Sequence, residues 1–219
     1  MFVSRSGIGL ESSLLFAQEG ANVLLVDINL TAAEKALALV KERFPNVKAA
    51  AIKADVGKEE DVKAAVDKAV ELFGRLDIMV CVVRLSPPPA IYPCCGRDIF
   101  AEMPRTAYSS IMQVCYFPFT IHGMLLKNVP GIMHPEDDNA LNTEERIWDL
   151  TMQINVKGVW WGCKYAILAM RKNPTDTARD LHSGGSIINT ASFVAIMGAA
   201  TPQLACVCIR PFFADRELT

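Results

Sequence analysis

The sequence predicts an α/β fold in which a parallel sheet is wound on both sides by helices. Three observations carry this prediction. Short apolar runs suited to buried strands alternate with amphipathic segments of helical period. Glycine or proline stands where several of these segments end. The strand-like runs lack regular alternation of polar and apolar residues, as expected for strands covered on both faces. Strands that alternate with helices in this way form a doubly wound sheet.

The N-terminal stretch Ser4–Asp27 has the order of a nucleotide-binding unit: a glycine turn, a helix, a buried strand and a carboxylate. Gly7 and Gly9 let the backbone approach a pyrophosphate at the start of the helix, where unpaired N–H groups favour an anion. Gly20 suits the end of that helix. Asp27 follows the strand at about the spacing expected for an acid that binds ribose hydroxyls. Only Met1, Phe2 and Val3 precede the turn, fewer than the five or so residues of an ordinary strand.

The same alternation continues along the chain. Asn142 followed by Glu145 predicts a capped helix start. The predicted helices are Leu30–Phe44, Lys58–Phe73 and a long helical region Thr143–Lys172, and the predicted strands are Val47–Asp55, Leu76–Val83 and Ser186–Asn189.

Composition narrows the class of protein. The 219 residues suit one domain, and 51% hydrophobic with 21% charged residues indicate a globular chain. A net charge of −2 and no basic cluster give no reason to expect nucleic acid or an anionic membrane. No apolar run reaches the length of a membrane span, and no secretory signal is visible. Seven scattered cysteines and three unclustered histidines favour reduced thiols, no metal site and a cytoplasmic location.

Several motifs, in this order, resemble the short-chain dehydrogenase/reductase family. They are GIG near the start, Asp27, ADV at Ala54–Val56, GRLDIMV from Gly74, the run NTEERIWDLTMQINVKGVWWGCKYAILAMRK, and GGSIINTAS. The resemblance implies a Rossmann-like doubly wound sheet, here incomplete because the first strand and the C-terminal strands are expected to be largely missing. It implies NAD(P)-dependent hydride transfer on an alcohol or carbonyl substrate, often in a homo-oligomer.

The resemblance also assigns site residues. Asn155 matches a family asparagine that orders a water, and Ser192 matches the catalytic serine, so both are predicted to be catalytic. Asp27 favours NAD, with NADP less expected, since a carboxylate repels a 2′-phosphate. The predicted cofactor-binding residues are Ser6, Gly7, Ile8, Gly9, Asp27, Asp55 and Val56.

The sequence departs from the family pattern at three places. Phe2 and Val3 replace the first two positions of the glycine motif, and Cys81-Val82 replace the asparagines that follow the fourth strand. The stretch 83–130 has no sustained period, so the single domain 1–219 is expected to carry an atypical insertion there. The preferred explanation is non-native sequence, such as a retained intron or altered splice; the alternative is a tolerated surface insertion.

The family's Tyr-x-x-x-Lys pair is absent. None of the four tyrosines is followed by lysine four positions later, and the expected positions hold Cys206 and Arg210. A cysteine is a poor substitute, since its sulfur does not reach the position of a phenol oxygen.

Three readings follow. The first is an NAD(P)-dependent oxidoreductase whose activity is impaired in this chain. The second is a non-catalytic nucleotide-binding or interaction protein, and the third is a splice or gene-model product without function. The absent pair favours the second for the polypeptide as written.

Overall fold

A computed structural model describes residues 8–82, 124–128, 132 and 134–190. Helices and strands alternate through most of this range, as the sequence predicts. The helices are α1 (Ile8–Gln18), α2 (Leu30–Arg43), α3 (Glu59–Phe73), α4 (Glu145–Met152) and α5 (Gly158–Met170), with a π-helical turn (Gln153–Lys157) between the last two. The strands are β1 (Asn22–Asp27), β2 (Ala49–Lys53), β3 (Ile78–Val82), β4 (Met124–Asn128) and β5 (Ser186–Thr190).

The five described strands form one parallel sheet in the order β2-β1-β4-β3-β5. Strand β4 lies at its centre, with Leu126 opposite Leu24 of β1 on one side and Met79 of β3 on the other. In doubly wound sheets of order 3-2-1-4-5, this central place belongs to the first strand. Here a segment from the middle of the chain occupies it. The fold class predicted from sequence is confirmed, with a central strand from an unexpected source.

Helices cover both faces of the sheet. Helices α1 and α2 pack on the face that carries Val23, Leu25 and Val80, while α3 and α5 pack on the face that carries Leu24 and Met79. Successive residues of β1 therefore serve opposite cores, and all but the first are buried. This explains the continuous apolar run seen in the sequence.

A buried polar cluster closes the amino edge of the sheet. The Arg75 guanidinium donates to Asp77 at 2.7 Å and to the carbonyls of Pro174 and His182 at 3.1 Å each. Gly185 lies so close that an added Cβ would sit 2.6 Å from the Asp77 carbonyl oxygen. The glycine is therefore required by close approach of two backbones. Together these contacts tie the segment after α5 to the start of β3.

A second polar contact fixes the chain beyond β4. The Asn155 side chain, 1% exposed, accepts a hydrogen bond from the Ile132 N–H at 2.7 Å and donates to the Ile132 carbonyl at 2.9 Å. Asn155 lies in the π-helical turn, where the backbone bulges out of the regular helix. One side chain thus satisfies both polar groups of a residue four positions after the end of β4.

Three details differ from the sequence predictions. The cap prediction at Asn142 is wrong: α4 begins at Glu145, its cap is Glu144, and the Asn142 amide donates to Asp138 instead. Strand β2 is shorter than Val47–Asp55. Strand β4 lies inside the stretch 83–130, for which no element was predicted, since a five-residue run offers little periodicity to detect.

The central position of β4 can be tested with Leu126→Pro. Proline removes the backbone N–H at a residue paired on both sides, and a buried carbonyl left unpaired costs about 1–3 kcal/mol. We expect urea denaturation to show at least this loss in the free energy of unfolding. Leu126→Val, which keeps the N–H, is the matched control. Equal stability of the proline variant and the control would contradict the placement of β4.

The Asn155 contact predicts destabilising effects of substitution. Asn155→Ala leaves the Ile132 N–H and carbonyl without their partner, so the free energy of unfolding should fall by about 1–3 kcal/mol or more. Asn155→Asp keeps an acceptor for the N–H, but when ionised it places a buried, unpaired charge against the Ile132 carbonyl oxygen, so it should destabilise at least as much as the alanine variant. Chemical denaturation measures both. An alanine variant as stable as the unaltered chain would show that the contact contributes nothing.

Candidate functional site

Asp27 lies at the carboxyl end of β1, where the sequence places it. Its side chain is 3% exposed, and its Oδ1 accepts a hydrogen bond from the Asn29 N–H at 2.7 Å. Asn29 in turn caps α2 by accepting from the Ala32 N–H. A short turn therefore fixes the carboxylate at the edge of the sheet where ligands bind in parallel α/β folds.

The start of α1 lies at the same edge. The short connection through Gly20 makes α1 run antiparallel to β1, so the first turn of the helix is beside the end of the strand. Gly9 is buried in that first turn, and its carbonyl accepts a hydrogen bond from the Ser13 hydroxyl at 2.9 Å. Ile8 opens the helix, whereas Ser6 and Gly7 lie outside the described residues. The N–H groups of a first helical turn are suited to binding an anion.

Asp55 and Val56 follow β2 and have different surroundings. The Asp55 carboxylate accepts from the Gly57 N–H at 2.9 Å, and its own N–H donates to Asp61 of α3 at 2.9 Å. Val56 is 3% exposed and packs against Val62 and Trp161. The chain here is joined to β1, because the Ala54 N–H donates to the Asp27 carbonyl at 3.1 Å. Asp55 and Val56 thus form a fixed turn next to Asp27.

Of the two residues predicted to be catalytic, Asn155 lies within the described residues and Ser192 does not. Asn155 is described, and both polar atoms of its side chain are engaged by Ile132. Ser192 lies outside the described residues, two positions after the last residue of β5. Of the predicted cofactor-binding residues, Gly9, Asp27 and Asp55 thus lie at the carboxyl edge of the sheet, where β4 also ends.

Tyr165 is the one tyrosine in the described ranges, and a lysine adjoins it. Its hydroxyl donates to Glu59 Oε1 at 2.7 Å, and Lys164 contacts the same oxygen at 2.6 Å. The bond to Glu59 raises the pKa of Tyr165, since it stabilises the protonated phenol. A general base of the family type needs the opposite shift. Tyr165 also lacks the family spacing, because Ala169 rather than a lysine stands four positions later.

Sequence analysis missed a cluster of two buried cysteines and a half-buried asparagine near the ends of β3 and β5. Cys81 and Asn189 are register partners in these strands, and Cys163 of α5 approaches Asn189 to within 3.7 Å. From the sequence, Cys81 is noted because it stands where the family has an asparagine. No periodic signal could have paired it with Cys163.

Other site types are absent from the described part of the chain. No group of three or more histidine, cysteine, aspartate or glutamate side chains could hold a metal ion there. None of the described helices combines the length and apolarity needed to span a bilayer.

Comparison with known proteins identifies the family. A family model described as enoyl-(acyl carrier protein) reductase matches residues 3–121, more than half of the chain. An uncharacterised oxidoreductase of Thermotoga maritima is 28% identical over 193 residues, which are 88% of this chain and 52% of that protein. (+)-Borneol dehydrogenase 2 of Salvia officinalis is 29% identical over 193 residues, which are 87% of this chain and 62% of the relative.

A solved structure agrees in fold. A short-chain dehydrogenase/reductase of Brucella melitensis, of the glucose/ribitol dehydrogenase kind, superposes with a TM-score of 0.61 at 20% identity, covering 97% of this chain and 63% of that one. The chain thus spans less than two thirds of the length of these relatives. With the motif order, the family-model match and the parallel sheet in agreement, the chain belongs to the short-chain dehydrogenase/reductase family of oxidoreductases.

Proposed function

We propose that this chain binds NAD, in preference to NADP, along the carboxyl edge of the sheet. The observation that carries the proposal is Asp27, held at the end of β1 by the Asn29 N–H. An anionic carboxylate there can accept hydrogen bonds from ribose hydroxyls and would repel a 2′-phosphate. The start of α1 beside it supplies N–H groups for a pyrophosphate.

The chemistry proposed for the lineage is hydride transfer between the nicotinamide and an alcohol or carbonyl carbon. The family membership and the name of the borneol dehydrogenase relative support this substrate class. In that reaction the protein must orient the substrate oxygen and hold or remove its proton. Ser192 is assigned the orienting role, and Asn155 fixes the π-helical turn and the chain after β4.

Turnover by the 219-residue chain is proposed to be impaired. No tyrosine is followed by lysine four positions later, and Tyr165 has its pKa raised by Glu59. Nucleotide binding does not need that pair, because Asp27, Gly9 and the start of α1 act on the other half of the dinucleotide. A nucleotide-binding protein without efficient hydride transfer is therefore the function we assign to this polypeptide.

Titration of the purified chain with NADH and NADPH, followed by calorimetry, tests the cofactor assignment. We expect tighter binding of NADH. Asp27→Ala should weaken NADH binding by about ten- to a hundredfold, the range expected for losing hydrogen bonds to a charged group. Asp27→Asn keeps an acceptor for Asn29 but removes the charge, and should strengthen NADPH binding.

Asp67→Asn, on an exposed part of α3, is the matched control for loss of one negative charge. It should leave both affinities unchanged. Equal affinity of the unaltered chain for the two dinucleotides would contradict the role of Asp27.

The turnover assignment has a separate test. We expect no measurable NAD reduction with secondary alcohols such as borneol or cyclohexanol, at NAD concentrations that saturate the protein. The measurement is absorbance of NADH over hours. NAD reduction that Ser192→Ala abolishes, and that Ser183→Ala in the preceding loop leaves intact, would overturn this assignment while leaving nucleotide binding in place.

A further inference from the structure

Two cysteines and an asparagine from three elements meet at the carboxyl edge of the sheet. Cys81 is the fourth residue of β3, and Asn189 stands opposite it in β5, so both side chains point to the same face. Helix α5 covers that face and places Cys163 Sγ 3.8 Å from Asn189 Oδ1 and 3.7 Å from Nδ2. Both cysteines belong to the same buried cluster between the sheet and α5. Both cysteines are unpaired by any disulfide.

The surroundings of Cys163 differ from those of a cysteine that only fills space in a core. A buried thiol normally behaves as a small apolar group. Here the Asn189 Oδ1 can accept the Cys163 proton and the Asn189 Nδ2 can donate to the Cys163 sulfur. The amide can therefore hydrogen-bond Cys163 as a thiol or as a thiolate. The site is therefore arranged to accommodate a thiolate.

The electrostatics agree with this geometry. Hydrogen bonding by Cys81, with a further contribution from Asn189, lowers the pKa of Cys163 to about 7. The same bond and burial raise the pKa of Cys81. The directions of these shifts favour the thiolate at Cys163 over a thiolate at Cys81. Both residues are buried, and Cys163 is the less buried of the two, with 8% of the residue surface exposed against 2% for Cys81.

We propose that Cys163 and Cys81 form a peroxide-reactive thiol pair, in which Cys163 is the attacking sulfur and Cys81 the resolving one. The Cys163 thiolate attacks one oxygen of hydrogen peroxide, the O–O bond breaks, and hydroxide leaves, giving a sulfenic acid at Cys163. The Cys81 sulfur then attacks the Cys163 sulfur and the S–O bond breaks, so that a disulfide forms and water leaves. The pair loses two electrons and two protons, and the peroxide is reduced to two waters.

Peptide mapping of the oxidised full chain tests the pair. Trypsin should release Cys81 in the peptide Leu76–Arg84 and Cys163 in the peptide Gly158–Lys164, each with one cysteine. The other five cysteines, replaced by serine, remove competing reactions. After a small excess of hydrogen peroxide, we expect mass spectrometry to show the two peptides joined, 2 Da below the sum of their masses, and separated again by dithiothreitol.

Single variants separate the two roles. In Cys81→Ser, oxidation should stop at the sulfenic acid of Cys163, which dimedone traps. In Cys163→Ser, Cys81 should stay a thiol and take no dimedone. Asn189→Ala should slow oxidation of Cys163 about three- to tenfold at pH 7, because less of it is thiolate. Circular dichroism confirms that each variant is folded.

Several results would overturn the proposal. One is a folded chain in which both thiols stay reduced under conditions that oxidise the urea-unfolded chain. Another is dimedone labelling of Cys81 in preference to Cys163, which would reverse the roles. None of these readouts depends on dinucleotide binding, so the pair stands or fails separately from the proposed function.

Discussion

The two-sided pairing of β4 is the constraint on which the rest of the described sheet depends. Without Met124–Asn128, β1 and β2 would form one ribbon and β3 and β5 another, each with an unpaired inner edge. Buried backbone groups must find partners, and two-strand ribbons are marginally stable alone. The single short strand therefore joins two halves, each of which contributes to the cores on both faces. A segment that looked like an interruption of the family pattern supplies the sheet with its centre.

The carboxyl edge of the sheet contains two kinds of group: those proposed to bind the dinucleotide and those that hydrogen-bond the surrounding backbone. Asp27 and the start of α1 are suited to the ribose and pyrophosphate of a dinucleotide. Asn155 and the Asp55–Gly57 turn also hydrogen-bond backbone groups around them, and these contacts fix the local backbone at this edge. The proposed binding of a dinucleotide therefore does not require the tyrosine–lysine pair. The binding half depends on local turns, whereas the pair belongs to sequence beyond β5.

Much of this arrangement could be predicted from sequence, because local patterns carry it. Helices α2 and α3 have clear amphipathic periods, and Gly74 adopts the left-handed conformation expected of a helix end, with φ of 85°. The placement of Asp27 followed from strand and spacing alone. Contacts between residues far apart in the chain could not be predicted in this way. The entry of β4 between β1 and β3, and the meeting of Cys81 with Cys163, depend on tertiary packing that no local period encodes. The cap at Asn142 failed because its side chain found a competing partner in Asp138.

The buried Arg75 has a consequence for the order in which the protein takes shape during synthesis. Its acceptors at Pro174 and His182 lie 99 and 107 residues later in the chain. At translation speeds of about 5–20 residues per second, they emerge roughly 5–20 s after Arg75 does. Until then the guanidinium has only Asp77 nearby, and burial of the pair would leave N–H groups unsatisfied. We therefore expect the amino edge of the sheet to stay hydrated during synthesis until residues 174–182 have been made.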